Sequence, residues 1–132
     1  MPNTPRLYRV ILPVANIDQA AAFYSRVLDT PGQRVSPGRH YFNCGNTILA
    51  CYDPAADGDK LANDWHFHPF QYLYFAVPDL EAARARVRDA GGVIDTDIKT
   101  MPWGERMFYA RDPFGSRISF VDERTLFTGR DI

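Results

Sequence analysis

Apolar positions along this chain follow two rhythms, one after the other, and then repeat the pair. From Arg9 to Val14 the run RVILPV has few polar residues and ends in Ala15-Asn16, the pattern of a strand leading into a helix cap. Ile17, Ala20, Ala21, Tyr24, Val27 and Leu28 then recur at three- and four-residue spacing, which predicts an amphipathic helix stopping before Thr30-Pro31-Gly32. The same order returns at a constant offset of 63 residues. Tyr72 to Val77 predicts a strand, Asp79 a cap, and Leu80, Ala83, Val87 and Ala90 a helical stripe closed by Gly91-Gly92 in the left-handed conformation.

Strand signals follow each helix. HYFNC, Gly45-Asn46 and TILACYD read as a hairpin, because Gly-Asn between apolar runs suits the primed turn that matches strand twist. ERMFYA, RDPFGS and RISFVD repeat it, and aligning Gly115-Ser116 on Gly45-Asn46 gives an offset of 70, so the second copy carries an insertion, placed around IDTDIKTMPWG. A strand from VSPG, or from VIDTDIK, completes each unit. The prediction is an α+β fold of two tandem βαβββ modules, about 6–56 and about 70–124, within a single domain spanning 1–132. The polar, turn-rich stretch PAADGDKLANDWHFHP, about 54–69, reads as the linker. One helix covers one face of a small sheet, so each module has an uncovered face. Two such faces forming a curved mixed sheet enclose a concave cavity, where small molecules tend to bind.

Strict alternation puts Arg9, Ile11 and Pro13 on one face of the first strand, and Tyr72, Tyr74 and Ala76 on one face of the strand that repeats it. The opposite, purely apolar sets are expected to meet the helices, so Arg9 and the tyrosines are expected to face the cleft. Leu49 and Cys51 are assigned to the same face, as are Arg117, Ser119 and Val121 on the last strand. Arg9 or Arg117 could grip a carboxylate or phosphate through the planar guanidinium, or serve an internal ion pair. Tyr72 and Tyr74 could stack on a flat ligand, or simply pack.

Composition narrows the partners. Fifteen Lys and Arg against sixteen Asp and Glu give a net charge of −1, which supplies no basic footprint for nucleic acid. No apolar run approaches the roughly 20 residues of a membrane span, and MPNTPRLYRV lacks a signal-peptide pattern, so a cytoplasmic location is expected. Cys44 and Cys51 lack framework spacing and are expected as reduced thiols. Asp64, His66 and His68 form the one stretch with metal-ligand chemistry, a weak signal in a polar linker.

ILPVANIDQAAAFYSRVL, FAVPDLEAARARVRDAGG and PWGERMFYARDPFGSRISF, taken in this order, resemble the vicinal oxygen chelate superfamily. That superfamily includes glyoxalase I, extradiol dioxygenases, fosfomycin-resistance enzymes and bleomycin-resistance proteins. The resemblance implies the paired-module fold and, in metal-dependent members, four ligands that match here to Arg9, Leu49, Tyr72 and Ser119. Arg has no acceptor, Leu no polar atom, and neutral Tyr and Ser are poor substitutes for imidazole and carboxylate. No metal and no cofactor are therefore expected. The resemblance is nearest to the metal-free, bleomycin-resistance-like branch, and it implies Trp103 and Phe108 as aromatic walls. The expected function is sequestration of a flat, partly apolar small molecule by a homodimer. An enzyme, whether lyase, isomerase or dioxygenase, with a non-standard or absent metal site is the alternative.

Overall fold

The computed structural model describes residues 3–60 and 70–128, which fall in two compact units, 1–67 and 68–132. In the first, β1 (Arg9–Pro13) leads to α1 (Ile17–Val27), then β2 (Gln33–Ser36), β3 (Arg39–Cys44) and β4 (Thr47–Tyr52). The strands lie in the order β1-β4-β3-β2, with β1 parallel to β4 and the other pairs antiparallel. In the second, β5 (Tyr72–Val77) leads to α2 (Leu80–Asp89), β6 (Val93–Ile94), β7 (Lys99–Thr100), β8 (Arg106–Arg111) and β9 (Arg117–Asp122). Its order, β5-β9-β8-β6 with β7 also on β8, repeats the first, except that the outer strand is broken into two short pieces. Two mixed sheets of nine strands in all and two helices give the expected α+β architecture among the described residues.

The caps act as the sequence predicts. Asn16 accepts from the Gln19 backbone N–H at 3.0 Å and Asp79 from that of Ala82 at 3.0 Å, each satisfying an orphan donor of the first turn. Both helices end in a Schellman-type reversal. In α2, Gly91 takes φ 97° and Gly92 N–H returns to Val87 C=O; in α1, Thr30 N–H returns to Ser25 C=O and Asp29 takes φ 54°. The buried stripe of α1 differs from the expected one: Phe23 is buried, packed edge-on against Tyr24 at 4.8 Å, whereas Ala21 and Leu28 are only partly buried.

Facing follows from register. Phe42 on β3 meets Tyr24 of α1, and Phe42 pairs with Leu49, which pairs with Val10; these three, with Leu12 and Cys51, form the helix-side core. In the second unit Phe108, Phe120 and Phe75 stack in a ladder with centroids 5.2 and 5.3 Å apart, on the face where Arg106 meets Glu81 of α2. Cross-strand aromatic stacks of this kind consolidate a sheet face beyond their buried area.

Three facing expectations are thereby corrected. Leu49 and Cys51 point to the helix side, because their β1 partners are Val10 and Leu12; the residues beside Arg9 and Ile11 are Ile48 and Ala50. Phe108 is fully buried in the helix-side ladder and walls no cleft.

Candidate functional site

The face of each sheet that its helix does not cover carries most of the polar side chains of interest. In the first unit Arg9 stands on β1 with its guanidinium 5.0 Å from the Tyr8 ring centre and 5.7 Å from that of Tyr41. It donates to both hydroxyls, at 3.1 and 3.2 Å. Two tyrosines thus brace the cation in an exposed position. Farther along the same face the Arg39 guanidinium lies 4.3 Å over Tyr52, whose hydroxyl donates to Asp59, while Arg39 also pairs with Asp57. That end of the face is closed by its own partners.

The corresponding face of the second unit is built differently. Register aligns Tyr72 with Arg117 and Arg111 across three strands, and Tyr74 with Ser119 and Tyr109 in the next row. The Arg117 guanidinium lies 5.5 Å from the Tyr72 ring and donates to its hydroxyl at 3.4 Å. Tyr72 meets Tyr109 edge-on at 5.8 Å and Tyr74 at 6.3 Å. Asp95, just past β6, holds Arg111 in a fork with contacts of 2.9 to 3.1 Å, and Thr96 receives the Tyr109 backbone N–H at 2.9 Å. Tyr72, Tyr109, Arg111, Arg117, Asp95 and Thr96 line an open recess of about 390 Å³. That volume lies within the range of small-ligand sites.

Tyr74 contributes a neutral phenol. Burial first, then the hydrogen bond to Tyr109 and the fields of Tyr109, Glu105 and Tyr72, push its hydroxyl up to about 12. The group is therefore a hydrogen-bonding phenol throughout the physiological range and cannot serve as a base there. Ser119, between Tyr74 and Tyr109, is fully buried and its Oγ has no hydrogen-bond partner among the described residues.

Of the residues singled out from sequence, the structure brings Tyr72, Tyr74, Arg117 and Ser119 together on one face of the second unit. Arg9 lies on the equivalent face of the first. Leu49, Cys51 and Phe108 belong to the helix-side cores, as described above. Trp103 sits in the turn before β8, about half exposed, with its indole N–H donated to Glu105 at 2.8 Å, and it is not part of the recess wall. Tyr109, Arg111, Asp95 and Thr96 escaped the sequence reading. Alternation along ERMFYAR, keyed to the strand next to Ser119, would have found the first two.

The fit to a divalent ion can be judged from the donor set. Of the four positions that the resemblance matches to family ligands, Arg9, Tyr72 and Ser119 lie on the uncovered faces, whereas Leu49 lies on the helix side and Ile48 is the residue beside Arg9. None offers a carboxylate or an imidazole, so these residues do not fit a metal. Among the described residues no three His, Cys, Asp or Glu side chains are grouped to hold an ion. Asp64, His66 and His68 lie outside the described residues. Neither Cys44 nor Cys51 is in a disulfide, and burial raises the Cys44 thiol above its ordinary range, which leaves it a poor nucleophile. No helix among the described residues is long and apolar enough to cross a membrane.

Comparison with known proteins agrees with this architecture. The chain is similar to CFP32 of Mycobacterium bovis, a proposed glyoxylase, with 29% identity over 109 residues, 79% of this chain and 39% of that protein. It therefore spans about two-fifths of the length of that curated relative. Among solved structures it is similar to a glyoxalase/bleomycin resistance protein from Albidiferax ferrireducens T118, at 19% identity and TM-score 0.72, covering 88% of this chain and 97% of that one. A lactoylglutathione lyase from Agrobacterium tumefaciens matches at 20% identity and TM-score 0.69, over 91% of this chain and 95% of that one. At such identities the structural likeness speaks for the fold alone. The family model matches residues 6–120, and the chain belongs to the Glyoxalase/Bleomycin resistance protein/Dioxygenase superfamily.

Proposed function

We propose that this chain is a metal-independent small-molecule-binding protein of the bleomycin-resistance type, which sequesters a flat, partly apolar anion. The ligand lies in the recess of the second unit, where Tyr72 and Tyr109 offer ring surface and Arg117 offers positive charge. Aromatic walls supply contact area at low entropic cost, and the guanidinium fork orients a carboxylate. The observation that carries this reading is the replacement of metal-type ligands by an arginine–tyrosine cluster around a recess of about 390 Å³.

An enzymatic reading draws on the names carried by CFP32 and by the Agrobacterium lyase. Electrophilic catalysis of the kind that metal-dependent members perform needs donors that these faces lack. Purification without chelators followed by elemental analysis separates the readings: stoichiometric Fe, Mn, Ni or Zn would overturn metal independence.

The binding claim is tested by calorimetric titration with benzoate, cinnamate and 1-naphthoate. At least one should bind, and Tyr72→Ala or Arg117→Gln should weaken it by about tenfold, the equivalent of ~1.4 kcal/mol. Absence of binding by all three, or full affinity in both variants, would refute the assignment.

A further inference from the structure

One end of the second unit's uncovered face sets like charges side by side. Arg111, the last residue of β8, is the direct cross-strand partner of Arg117, the first residue of β9. At the next pair along, the Asp112 backbone N–H donates to the Ser116 C=O at 2.9 Å. Pair types alternate along an antiparallel ladder, so Arg111 and Arg117 form a non-hydrogen-bonded pair, the kind whose side chains stand closest. Like charges placed directly opposite each other cost stability. Both arginines line the recess of about 390 Å³, and among the described residues that line it Asp95 is the one that carries negative charge.

Asp95 accounts for one edge of one guanidinium. It accepts from Nε and Nη2 of Arg111 at 2.9 to 3.1 Å, which fixes the plane of that group and leaves Nη1 outside the fork. Arg117 is placed by Tyr72, with its guanidinium 5.5 Å from the ring and a 3.4 Å bond to the hydroxyl. A carboxylate presents two oxygens, which a single guanidinium fork satisfies. A phosphate monoester presents three terminal oxygens and a charge of roughly −1.5 to −2 near neutral pH, enough for two guanidinium groups. Resting on the proposed function above, we infer that the anionic group of the ligand is a phosphate monoester shared between Arg111 and Arg117, so that the recess takes aryl phosphates. The aromatic part lies against Tyr72 and Tyr109, whose rings meet edge-on at 5.8 Å.

A dianion held between the two guanidinium groups replaces their mutual repulsion with attraction to a shared centre. That gain goes only to a ligand that reaches both. A carboxylate engaged by Arg117 leaves the repulsion between the arginines in place. A sulfate ester has the tetrahedral shape of the phosphate but a single charge, so it separates the contribution of shape from that of charge. Arg111 is then the residue that sets the preference for phosphate, with Asp95 positioning it.

The test titrates 1-naphthyl phosphate, 1-naphthyl sulfate, 1-naphthoate and inorganic phosphate into wild type, Arg111→Gln and the double variant Asp95→Asn/Arg111→Gln. Wild type should bind 1-naphthyl phosphate about tenfold more tightly than 1-naphthoate, as expected for one added charge-assisted hydrogen bond, with the sulfate between them. Inorganic phosphate should bind about tenfold more weakly than its naphthyl ester, because it covers neither tyrosine ring. Arg111→Gln should lose far more affinity for 1-naphthyl phosphate than for 1-naphthoate. The double variant should lose the same preference. It leaves no carboxylate unpaired and keeps the excess of one positive charge that wild type has around the recess, so its loss reports the second guanidinium rather than net charge. Equal affinity of wild type for the phosphate and the carboxylate, a preference kept in both variants, or equal losses of both probes overturns the inference while leaving the recess assignment standing. So does inorganic phosphate binding as tightly as the ester. Failure of every naphthyl probe to bind wild type overturns the inference and the recess assignment together.

Discussion

The two units solve one folding problem with the same devices and then diverge on the face that those devices leave alone. Each begins with a strand, caps its helix with Asn16 or Asp79, and closes on a parallel pairing, β1 with β4 or β5 with β9. On the helix side the substitutions trade volume across strands: Phe42 and Cys51 in the first unit correspond by register to Ala110 and Phe120 in the second. A large residue moves from one strand to its neighbour and the filling is kept, as packed interiors require. On the uncovered side no such conservation holds. Ile11, Ile48 and Ala50 in the first unit stand where Tyr74, Arg117 and Ser119 stand in the second. The core constrains one face of each sheet, which leaves the other free to acquire binding chemistry, and the second unit has acquired more of it.

The largest test of this comparison separates the two faces at adjacent residues. Leu49 is 4% exposed and faces α1, whereas Ile48 is only partly buried on the opposite side. Leu49→Ala should cost about 2–5 kcal/mol of unfolding free energy and Ile48→Ala markedly less, read from urea denaturation midpoints at constant slope. The reverse ranking would mean that the strand faces are exchanged.

That prediction also locates what the sequence concealed. Caps, helices, both hairpins and the α+β class were legible because each depends on local chemistry: an oxygen-bearing cap, a glycine at a positive φ, a period of two or of about four. The helical offset of 63 holds in the structure between Arg9 and Tyr72. The hairpin offset of 70 does not hold for the closing strands. Ile48 and Arg117 occupy the same register, an offset of 69, because the turn through Pro113, Phe114 and Gly115 is one residue longer than Gly45-Asn46. Aligning the glycines therefore slid β4 by one residue, and a one-residue slip sends every side chain to the other face. This is how Leu49 and Cys51 came to be assigned to the cleft. Phe108 had a different origin, since a resemblance to drug-binding relatives fixes no register. Tyr109 and Arg111 were missed because the facing of β8 follows only once its register with Ser119 and Arg117 on β9 is fixed.

A smaller effect distinguishes the ends of the closing strands. Asp53 and Asp122 occupy equivalent, buried positions, but their partners differ. Asp53 accepts from the backbone N–H groups of Ile17 and Ala56, whereas Asp122 is gripped by the Arg124 side chain and backbone, with Arg106 nearby. Chiefly through the Arg124 side chain, then its backbone N–H, the Asp122 carboxyl is held down at about 2 rather than 3.8. A carboxylate whose folded-state pKa is depressed stabilises the fold fully above its unfolded value, and that contribution fades as pH falls through the folded one. Wild-type stability should therefore drop between about pH 4 and pH 2 more steeply than that of Asp122→Asn. Parallel acid limbs in thermal melts of the two proteins would show that the arginine grip contributes nothing to folding.

The finest difference between the units is the residue that reverses the chain after each helix. Gly91 adopts φ 97° after α2 without steric penalty, because it has no Cβ. Asp29 does the same work after α1 at φ 54°, a region where an L side chain crowds the following carbonyl. Asp tolerates it better than most residues, which limits the gain available. Asp29→Gly should relieve that crowding, partly offset by the extra freedom glycine gives the unfolded chain, for a net stabilisation of about 0.5–1 kcal/mol. The converse replacement, Gly91→Asp, should destabilise by a similar amount. Both are read as opposite shifts in the thermal midpoint of the full chain. If Asp29→Gly instead lowers that midpoint, the aspartate side chain makes a contribution at the turn that outweighs its backbone strain, and the two helix ends are equivalent in shape but not in energetics.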